Sequence, residues 1–339
     1  MIQDPVGLLD ETSVVDYLAG RGLIDPETAT ARSLGGGVSN VVLAVEDGTR
    51  RLVLKQALPR LRVADEWLAP VDRVITEAVA LELAADLTPD SVPPVLDRDA
   101  ARHTLVLAQA PAEWADWKRR LLAGEVDNAT ADRLGTLLAR WHSLTRDQTG
   151  RALPDRLADT KPFELLRVDP YHRTVARRAP EVAPAVLALV EEMADHRDCL
   201  VHGDFSPKNV LVGPRSGCWV IDFEVAHIGD PAFDLGFLLT HLTLKAVHRP
   251  AYASLYDGCV TAFVTAYDTH VAPPLRPRWD YVLRHVACLL LARVRGKSPA
   301  EYLTPADQGR AWRLGVDLLH DPPDEPDGLI QRRQASAGS

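Results

Sequence analysis

The chain contains little cysteine, and what it has is scattered. The four cysteines among its 339 residues are Cys199, Cys218, Cys259 and Cys288. None forms a Cys-x-x-Cys pair or a Cys/His spacing typical of zinc sites. The sequence therefore indicates neither a disulfide framework nor a structural zinc site, and we expect four reduced thiols.

Long apolar runs and an excess of positive charge are also absent. A membrane-spanning helix needs about 20 apolar residues, whereas residues 285–294 are interrupted by Arg293. The N-terminus has no basic stretch followed by an apolar core, so we expect a cytoplasmic protein without a signal peptide or membrane partner. A net charge of −9 argues against nucleic acid as a main partner.

What remains is an ordinary globular composition, with 46% hydrophobic and 25% charged residues. The length allows two lobes with a substantial core. The proline- and charge-rich residues 321–339 are the exception, and we predict that they form a disordered tail.

Apolar periodicity divides the chain at a proline-marked break near residue 111. The predicted strands before it are at residues 31–43 (two strands around a glycine turn), 51–56 and 104–108, with helices at 12–21 and 72–86. Beyond the break the predicted helices cover residues 128–144, 184–196, 234–247, 252–267 and 279–295, with Asn128 or Thr130 as the cap of the first. This order predicts a small lobe of strands plus one packed helix, joined by a hinge to a larger helical lobe.

The most informative stretch is residues 200–236, LVHGDFSPKNVLVGPRSGCWVIDFEVAHIGDPAFDLG. Two short apolar strand-like runs in it each adjoin polar side chains. These side chains are His202, Asp204, Asn209, Asp222 and Glu224. Such a set suits phosphoryl transfer, in which a protein mainly positions the reactants and neutralises charge.

Each polar side chain in this stretch has a predicted role. Asp204 is the candidate catalytic base, which accepts the proton of the acceptor hydroxyl. Asn209 and Asp222 are the candidate metal ligands, because Mg²⁺ prefers oxygen donors. His202 is expected to support the loop rather than to take part in the chemistry.

Three ordered motifs in this region resemble those of the aminoglycoside phosphotransferase family, which also includes methylthioribose kinase-like and choline kinase-like enzymes. HGDFSPKN at residues 202–209 is similar to the family's His-Gly-Asp-x-x-x-x-Asn loop, and IDFE at 221–224 to its metal-binding segment. GDPAFDLG at 229–236 resembles the segment that follows. With N-terminal features, the resemblance covers residues 34–303.

The resemblance implies an α+β fold, bilobal and protein-kinase-like. The N-lobe, residues 1–108, would hold an antiparallel sheet plus a helix, and residues 109–112 would form the hinge. The C-lobe, residues 113–320, would be mainly helical and would precede the predicted tail at 321–339.

The resemblance also implies that Lys55 binds the α- and β-phosphates of ATP, with GTP as the alternative, and pairs with a glutamate on the following helix. Glu77 matches that glutamate, while Glu66 and Glu82 are its rivals. Glu224 resembles the second carboxylate of an Asp-x-Glu metal segment, with a substrate or solvent role as the alternative. Lys208 is positioned to reach the γ-phosphate or a phosphorylated product, or else is a solvated lysine.

The glycine run GGGVSN, residues 35–40, lies between two predicted strands. Backbone at Gly36, Gly37 and Ser39 can approach phosphates closely there, although an ordinary hairpin turn is the alternative. The spacing is not that of a P-loop.

The hinge supplies the predicted adenine contacts. Pro111 has no N–H to donate, so the Ala108 carbonyl and the Ala110 N–H are the expected partners of the base. Beyond the metal segment, we expect Asp234 to cap the next helix and Asp230 to brace the loop around Asp204.

The short interval after Asp222 leaves no room for an extended platform for a protein substrate. We therefore predict an ATP-dependent, Mg²⁺-dependent kinase that phosphorylates a hydroxyl of a small molecule, such as an antibiotic of the aminoglycoside type, a sugar or a related metabolite. The alternatives are a nucleotide-binding pseudokinase and, less favoured, a protein kinase or a nucleotidyl transferase. Late basic residues Arg293, Arg295 and Lys297 would favour an anionic or neutral acceptor if they face its pocket.

Overall fold

The computed structural model describes residues 7–35, 37–62, 67–146 and 150–337. The chain divides into two compact units, Met1–Ala112 and Glu113–Ser339.

The N-terminal unit is built on a five-stranded antiparallel sheet with the strand order β1-β2-β3-β5-β4. The strands are β1 Thr30–Ser33, β2 Asn40–Glu46, β3 Arg51–Ala57, β4 Val95–Asp99 and β5 Thr104–Ala108. The hairpin between β2 and β3 turns at Asp47, whose carboxylate accepts hydrogen bonds from the N–H groups of Thr49 and Arg50 at 3.0 and 2.7 Å. The bond from Arg50 has the largest effect in lowering the pKa of Asp47, to about 2. Together the two bonds fix the turn and hence the register of β2 against β3.

Two helices accompany this sheet. They are α1 Ser13–Gly20 and α2 Arg73–Leu87. The buried side chains Val14 and Leu18 of α1 join a core that includes Leu43, Leu52 and Leu54 of the sheet. The side chain of Asp10 accepts hydrogen bonds from the N–H groups before and at the start of α1, so the chain enters this helix in a fixed direction.

The C-terminal unit is mainly helical. Its helices are α3 Trp117–Ala123, α4 Asn128–Thr145, α5 Lys161–Phe163, α6 Thr174–Arg178, α7 Ala183–Ala194, α8 Pro231–His248, α9 Ala253–His270, α10 Trp279–Arg295, α11 Pro305–His320 and α12 Asp327–Ala337. Its short strands form two small sheets, from β6 Ala115–Asp116, β8 Val210–Val212 and β9 Cys218–Val220, and from β7 Cys199–Val201 and β10 His227–Gly229. Helix α4 packs closely on α9 at Gly135, where a Cβ atom would lie 2.3 Å from the Phe263 carbonyl oxygen. Within the described ranges no helix is long and apolar enough to cross a bilayer.

Three local features differ from the sequence-based expectations. Helix α4 is capped by Asp127, whose carboxylate accepts a hydrogen bond from the Ala129 N–H at 3.0 Å, and not by Asn128 or Thr130. Residues Glu164–Arg173 form a π-helical segment that apolar periodicity did not reveal. Pro170 inside it has no N–H to donate, which interrupts the regular α-helical ladder.

The third difference is at the C-terminus, where α12 replaces much of the expected disordered tail. Leu329 is 1% exposed, and Arg333 lies 2.7 Å from Asp257 in an ion pair. The overall composition of residues 321–339 did not reveal this helix, because only a few of its apolar and basic side chains contact the rest of the helical unit. Residues 338–339 lie outside the described residues.

Candidate active site

The loop after β7 turns sharply at Gly203. This residue has a φ of +75°, a left-handed conformation that favours glycine. A Cβ atom there would lie 2.9 Å from Val225 Cγ2 and 3.0 Å from the Val225 carbonyl oxygen. Glycine is therefore required for the turn that brings Asp204 into position.

Asp234 holds this loop from helix α8. Its carboxylate accepts hydrogen bonds from the N–H groups of His202 and Gly203 at 2.7 and 2.9 Å. Asp230 instead caps α8, accepting from the Ala232 N–H at 2.9 Å. The expected roles of the two aspartates are thus exchanged, because side chains one turn into a helix tilt back towards its N-terminus.

His202 supports the loop as a neutral imidazole. Its Nδ1 accepts a hydrogen bond from the Asp204 N–H at 3.1 Å, while Nε2–H donates to the Ile221 carbonyl at 3.1 Å. Burial lowers the pKa of His202, and the nearby Asp234 carboxylate offsets only part of this effect. The ring ties the loop to the residue before Asp222 and packs against Phe223, with ring centroids 4.3 Å apart.

Asp204 is buried, and its two carboxylate oxygens have unlike surroundings. Oδ2 accepts from Arg167 Nη2 at 2.8 Å, Lys208 Nζ at 2.9 Å and Asn209 Nδ2 at 2.8 Å. Oδ1 has no hydrogen-bond partner among the described residues. Burial alone would raise the pKa of Asp204, but the charges of Arg167 and Lys208 hold it below its ordinary value. Asp204 is therefore an ionised carboxylate with one free oxygen.

Sequence reasoning missed Arg167. This side chain extends from the π-helical segment, is 6% exposed, and also donates to the Gly203 carbonyl at 3.0 Å. It thus fixes both the backbone and the carboxylate of the loop. No motif in the sequence signals this role, since Arg167 lies 37 positions before Asp204 and meets it only through tertiary packing.

The predicted metal ligands lie at the ends of two short strands in the same unit: Asn209 directly precedes β8, and Asp222 and Glu224 follow β9. Asn209 is 4% exposed, and because its Nδ2 donates to the Asp204 carboxylate, its Oδ1 is left as an acceptor. Asp222 adopts a φ of +72°, a conformation rare for residues other than glycine and common at functional sites. Glu224, two residues on, is 4% exposed.

These donors have the right chemistry for a magnesium ion. Asp222 and Glu224 offer carboxylate oxygens and Asn209 an amide oxygen, the donor types that Mg²⁺ prefers. In the part of the chain that the structure describes, no three His, Cys, Asp or Glu side chains already converge as a metal cluster. Mg²⁺ commonly keeps several water ligands and shares its shell with phosphate oxygens.

In the N-terminal unit the structure brings Lys55 and Glu77 together. Lys55 Nζ lies 2.6 and 2.7 Å from the two carboxylate oxygens of Glu77, and both residues are buried. The rival Glu82 pairs with Arg98 on an exposed face, at 2.9 Å. The other rival, Glu66, lies outside the described residues.

The glycine turn connects β1 to β2. Gly36 lies outside the described residues, and Gly37 has room around its Cα, with the nearest atom to an added Cβ at 3.6 Å. The Ser39 carbonyl is held by the Leu58 N–H at 3.0 Å and by the guanidinium of the buried Arg73. The end of the glycine turn that leads into β2 is therefore fixed by two hydrogen-bond donors.

The hinge residues lie at the end of β5. The Ala108 N–H donates to the Pro94 carbonyl at 3.0 Å, and the Gln109 N–H donates to the Arg51 carbonyl on the opposite side at 2.9 Å. Because backbone groups alternate sides along a strand, the Ala108 carbonyl and the Ala110 N–H point to the same side. Within the described ranges the Ala110 N–H has no hydrogen-bond acceptor, so it remains free to donate.

Comparison with known proteins identifies the family of the chain. The model of the phosphotransferase enzyme family (APH) matches residues 30–270. The chain is similar to a methylthioribose kinase of Bacillus cereus, with 27% identity over 268 residues that cover 71% of this chain and 67% of that protein.

Solved structures show the same fold. A choline/ethanolamine kinase family protein from Mesorhizobium loti is 20% identical, covers 97% of this chain and 95% of its own, and superposes with a TM-score of 0.51. An amicoumacin kinase in complex with AMP-PNP and Ca²⁺ is 16% identical over 95% of this chain and 97% of its own, with a TM-score of 0.54. The predicted α+β, protein-kinase-like fold is confirmed. The chain belongs to the phosphotransferase enzyme family, and it is a small-molecule kinase.

Proposed function

We propose that this kinase transfers the γ-phosphoryl group of ATP to a hydroxyl of a small molecule, with Asp204 as the base that receives the hydroxyl proton. The observation that carries the proposal is the asymmetry of the Asp204 carboxylate. Three donors hold Oδ2, while Oδ1 is buried and has no partner among the described residues. A hydroxyl is a donor of the right kind to satisfy Oδ1.

In the proposed reaction, the acceptor oxygen forms a bond to the γ-phosphorus while the bond from that phosphorus to the β,γ-bridging oxygen breaks. The hydroxyl proton passes to Oδ1 of Asp204. Because the transition state is loose, the main work of Asp204 is to orient the hydroxyl before transfer. Arg167 and Asn209 keep the carboxylate in place through Oδ2.

The remaining residues hold the nucleotide and its metal in this proposal. Asn209, Asp222 and Glu224 offer oxygen ligands, and bound Mg²⁺ would neutralise phosphate charge. Lys55, oriented by Glu77, binds the α- and β-phosphates.

Backbone groups complete the proposed nucleotide site. The glycine turn with Gly36, Gly37 and Ser39 covers the phosphates, and Ala108 and Ala110 contact the base. Lys208 meets the transferred group in this proposal, and its 2.9 Å contact with Asp204 supports that role. The use of an ATP analogue by the amicoumacin kinase structure supports ATP as the donor.

The test is Mg²⁺-dependent ADP formation by the purified protein across a panel of acceptors. The panel contains methylthioribose, choline, simple sugars, hydroxy acids and aminoglycosides, and Asp204→Asn serves as the matched variant. We expect one acceptor class to stimulate ADP formation, and the variant to lose at least about a thousandfold in turnover while it still binds nucleotide. Unchanged turnover in the variant would remove Asp204 from the chemistry.

A further inference from the structure

A second group of polar side chains lies in the C-terminal unit, outside the residues assigned above. Lys118 on α3, Lys245 on α8 and Arg293 on α10 form what we call the cationic cluster. Burial and these cations keep the pKa of the neighbouring His241 well below its ordinary value, so its ring is neutral. Lys245 is 0% exposed, its Nζ donates to the His241 carbonyl at 3.2 Å, and it lies 5.8 Å from the centroid of the Tyr302 ring. Lys118 and Arg293 are partly exposed, so the cluster extends from the interior to the surface.

These cations have no anionic partner in the described residues. No ion pair there involves Lys245, Lys118 or Arg293. Asp116 is the one carboxylate whose charge raises the pKa of Lys245, against the lowering by Lys118 and Arg293. Burial, and then these two cations, lower the pKa of Lys245 to about 7. Bringing like charges together in a buried place is costly, and a protein normally avoids it unless an anion compensates.

Unused hydrogen-bond donors lie in the same place. Arg293 Nη1 donates to the carbonyl and hydroxyl oxygens of Ser298 at 2.5 and 3.0 Å, but its Nε, although buried, has no acceptor among the described residues. The Tyr302 hydroxyl is likewise buried without a partner in that part of the chain. A buried donor without an acceptor costs about 1–3 kcal/mol. An oxygen-rich ligand would satisfy these donors together with Lys245.

The cluster is close to the catalytic loop. The charge of Lys208, whose ammonium lies 2.9 Å from Asp204, contributes with Arg293, Lys245 and Lys118 to the field at His241. Helix α3, which carries Lys118, also packs against the turn Pro207–Asn209. A small molecule with its hydroxyl at Asp204 could extend from this turn towards Lys118 on α3.

We propose that the cationic cluster binds a carboxylate or phosphate group of the acceptor, so that the substrate is a hydroxylated anion rather than a neutral sugar or a polycation. That the bound anion is the phosphoryl acceptor rests on the proposed function. A polycationic acceptor would be repelled by Lys118, Lys245 and Arg293. The assignment of Lys245 and Arg293 as anion ligands does not itself depend on phosphoryl transfer.

The test compares acceptors matched in size and different in charge: glycerol, glycerate, glycerol 3-phosphate and choline. Binding of each is measured by calorimetry without nucleotide, and phosphoryl transfer is measured separately. We expect at least one of the two anions to bind about tenfold or more tighter than glycerol. Lys245→Met and Arg293→Met should each weaken that binding about tenfold or more.

Arg295→Met is the matched control, since Arg295 is on the same helix but is exposed and lies over the Trp312 ring. It should bind the anions like the unaltered protein. Preference for glycerol or choline, or anion binding that survives both cluster variants, would overturn the proposal. If Lys245→Met does not fold, as judged by circular dichroism, Arg293→Met decides.

The two proposals fail in different ways. Anion binding that depends on Lys245, without transfer to any acceptor, would support the anion site and contradict the proposed function. Transfer to neutral acceptors that requires Asp204, without anion binding, would support the function and contradict the anion site.

Discussion

Asp204 is surrounded by donors that act on only one side of its carboxylate. Arg167, Lys208 and Asn209 all contact Oδ2. Such contacts stabilise the ionised form more than burial destabilises it, so the pKa of Asp204 remains below its ordinary value. If Asp204 is the base, as we propose, its carboxylate is oriented before any substrate binds, which reduces the reorganisation needed at the moment of transfer.

The pair of Lys55 and Glu77 allows a prediction at the level of single residues. Lys55→Met should lower kcat/KM for the nucleotide by about a hundredfold, because a charge-assisted contact to phosphate is lost. Glu77→Gln should also lower it, by about tenfold, because Lys55 would keep a buried ammonium without its carboxylate partner.

Glu82→Gln is the matched control for this prediction, since Glu82 lies on the same helix and pairs with Arg98 on an exposed face. Steady-state kinetics at varied nucleotide concentration is the measurement. An effect of Glu82→Gln as large as that of Glu77→Gln would contradict the assignment.

Lys245 gives a prediction about stability and pH. Its pKa is about 7 in the folded protein, below the ordinary lysine value of 10.5. Between these values the unfolded chain binds the proton and the folded protein does not, so the cost of burying the charge is full below pH 7 and disappears as the pH rises towards 10.5. Lys245→Met should therefore raise Tm by about 2 °C or more at pH 6, and by less at pH 9.

Thermal melts followed by circular dichroism at both pH values check this expectation. Lys161→Met, at an exposed lysine in the same unit, is the control and should leave Tm unchanged at either pH. A lower Tm for Lys245→Met at pH 6 would contradict the cost assigned to the buried charge.

Among the elements, the turn at Gly203 sets the direction of the loop that carries Asp204. Gly203→Ala should lower turnover about a hundredfold or more and lower Tm, because the added Cβ would meet both side-chain and backbone atoms of Val225. Gly22→Ala is a matched control, since Gly22 also has a positive φ, +72°, but has nothing within 4 Å of an added Cβ.

The control should show only the backbone cost of a left-handed residue, about 1 kcal/mol, with normal turnover. Equal losses of activity in the two variants would mean that the close approach to Val225 is unimportant. Turnover and Tm of the two variants, measured side by side, decide.

Elements also show what the sequence can and cannot reveal. Strand β5 and helix α10 were predicted at their observed bounds, because each combines clear periodicity with breakers at its ends. The π-helical segment was not predicted, since its spacing fits neither of the regular periods. The predicted cap of α4 was wrong by one position, and the predicted roles of Asp230 and Asp234 were exchanged across one helical turn. Neighbouring Asp and Asn residues can each fill such a capping role, so the sequence alone does not choose between them.

At the scale of the whole molecule, the family motifs lie within the range that the family model matches, and they identified the chain as a kinase. The sequence motifs did not predict which other side chains surround them in the fold. Arg167 comes from a segment distant in sequence, and only the packing of the helical unit brings it to Asp204. The same packing brings Lys245 near Lys118 and Arg293. The net charge of −9 gave no sign of a local cluster of cations.

The most direct test of the central claim is mass spectrometry of the acceptor after incubation with the protein, ATP and Mg²⁺, beside the same reaction with Asp204→Asn. We expect an acceptor heavier by one phosphoryl group, formed with the unaltered protein and absent with the variant. A nucleotidylated acceptor, or a phosphorylated acceptor formed equally well by both proteins, would contradict the claim.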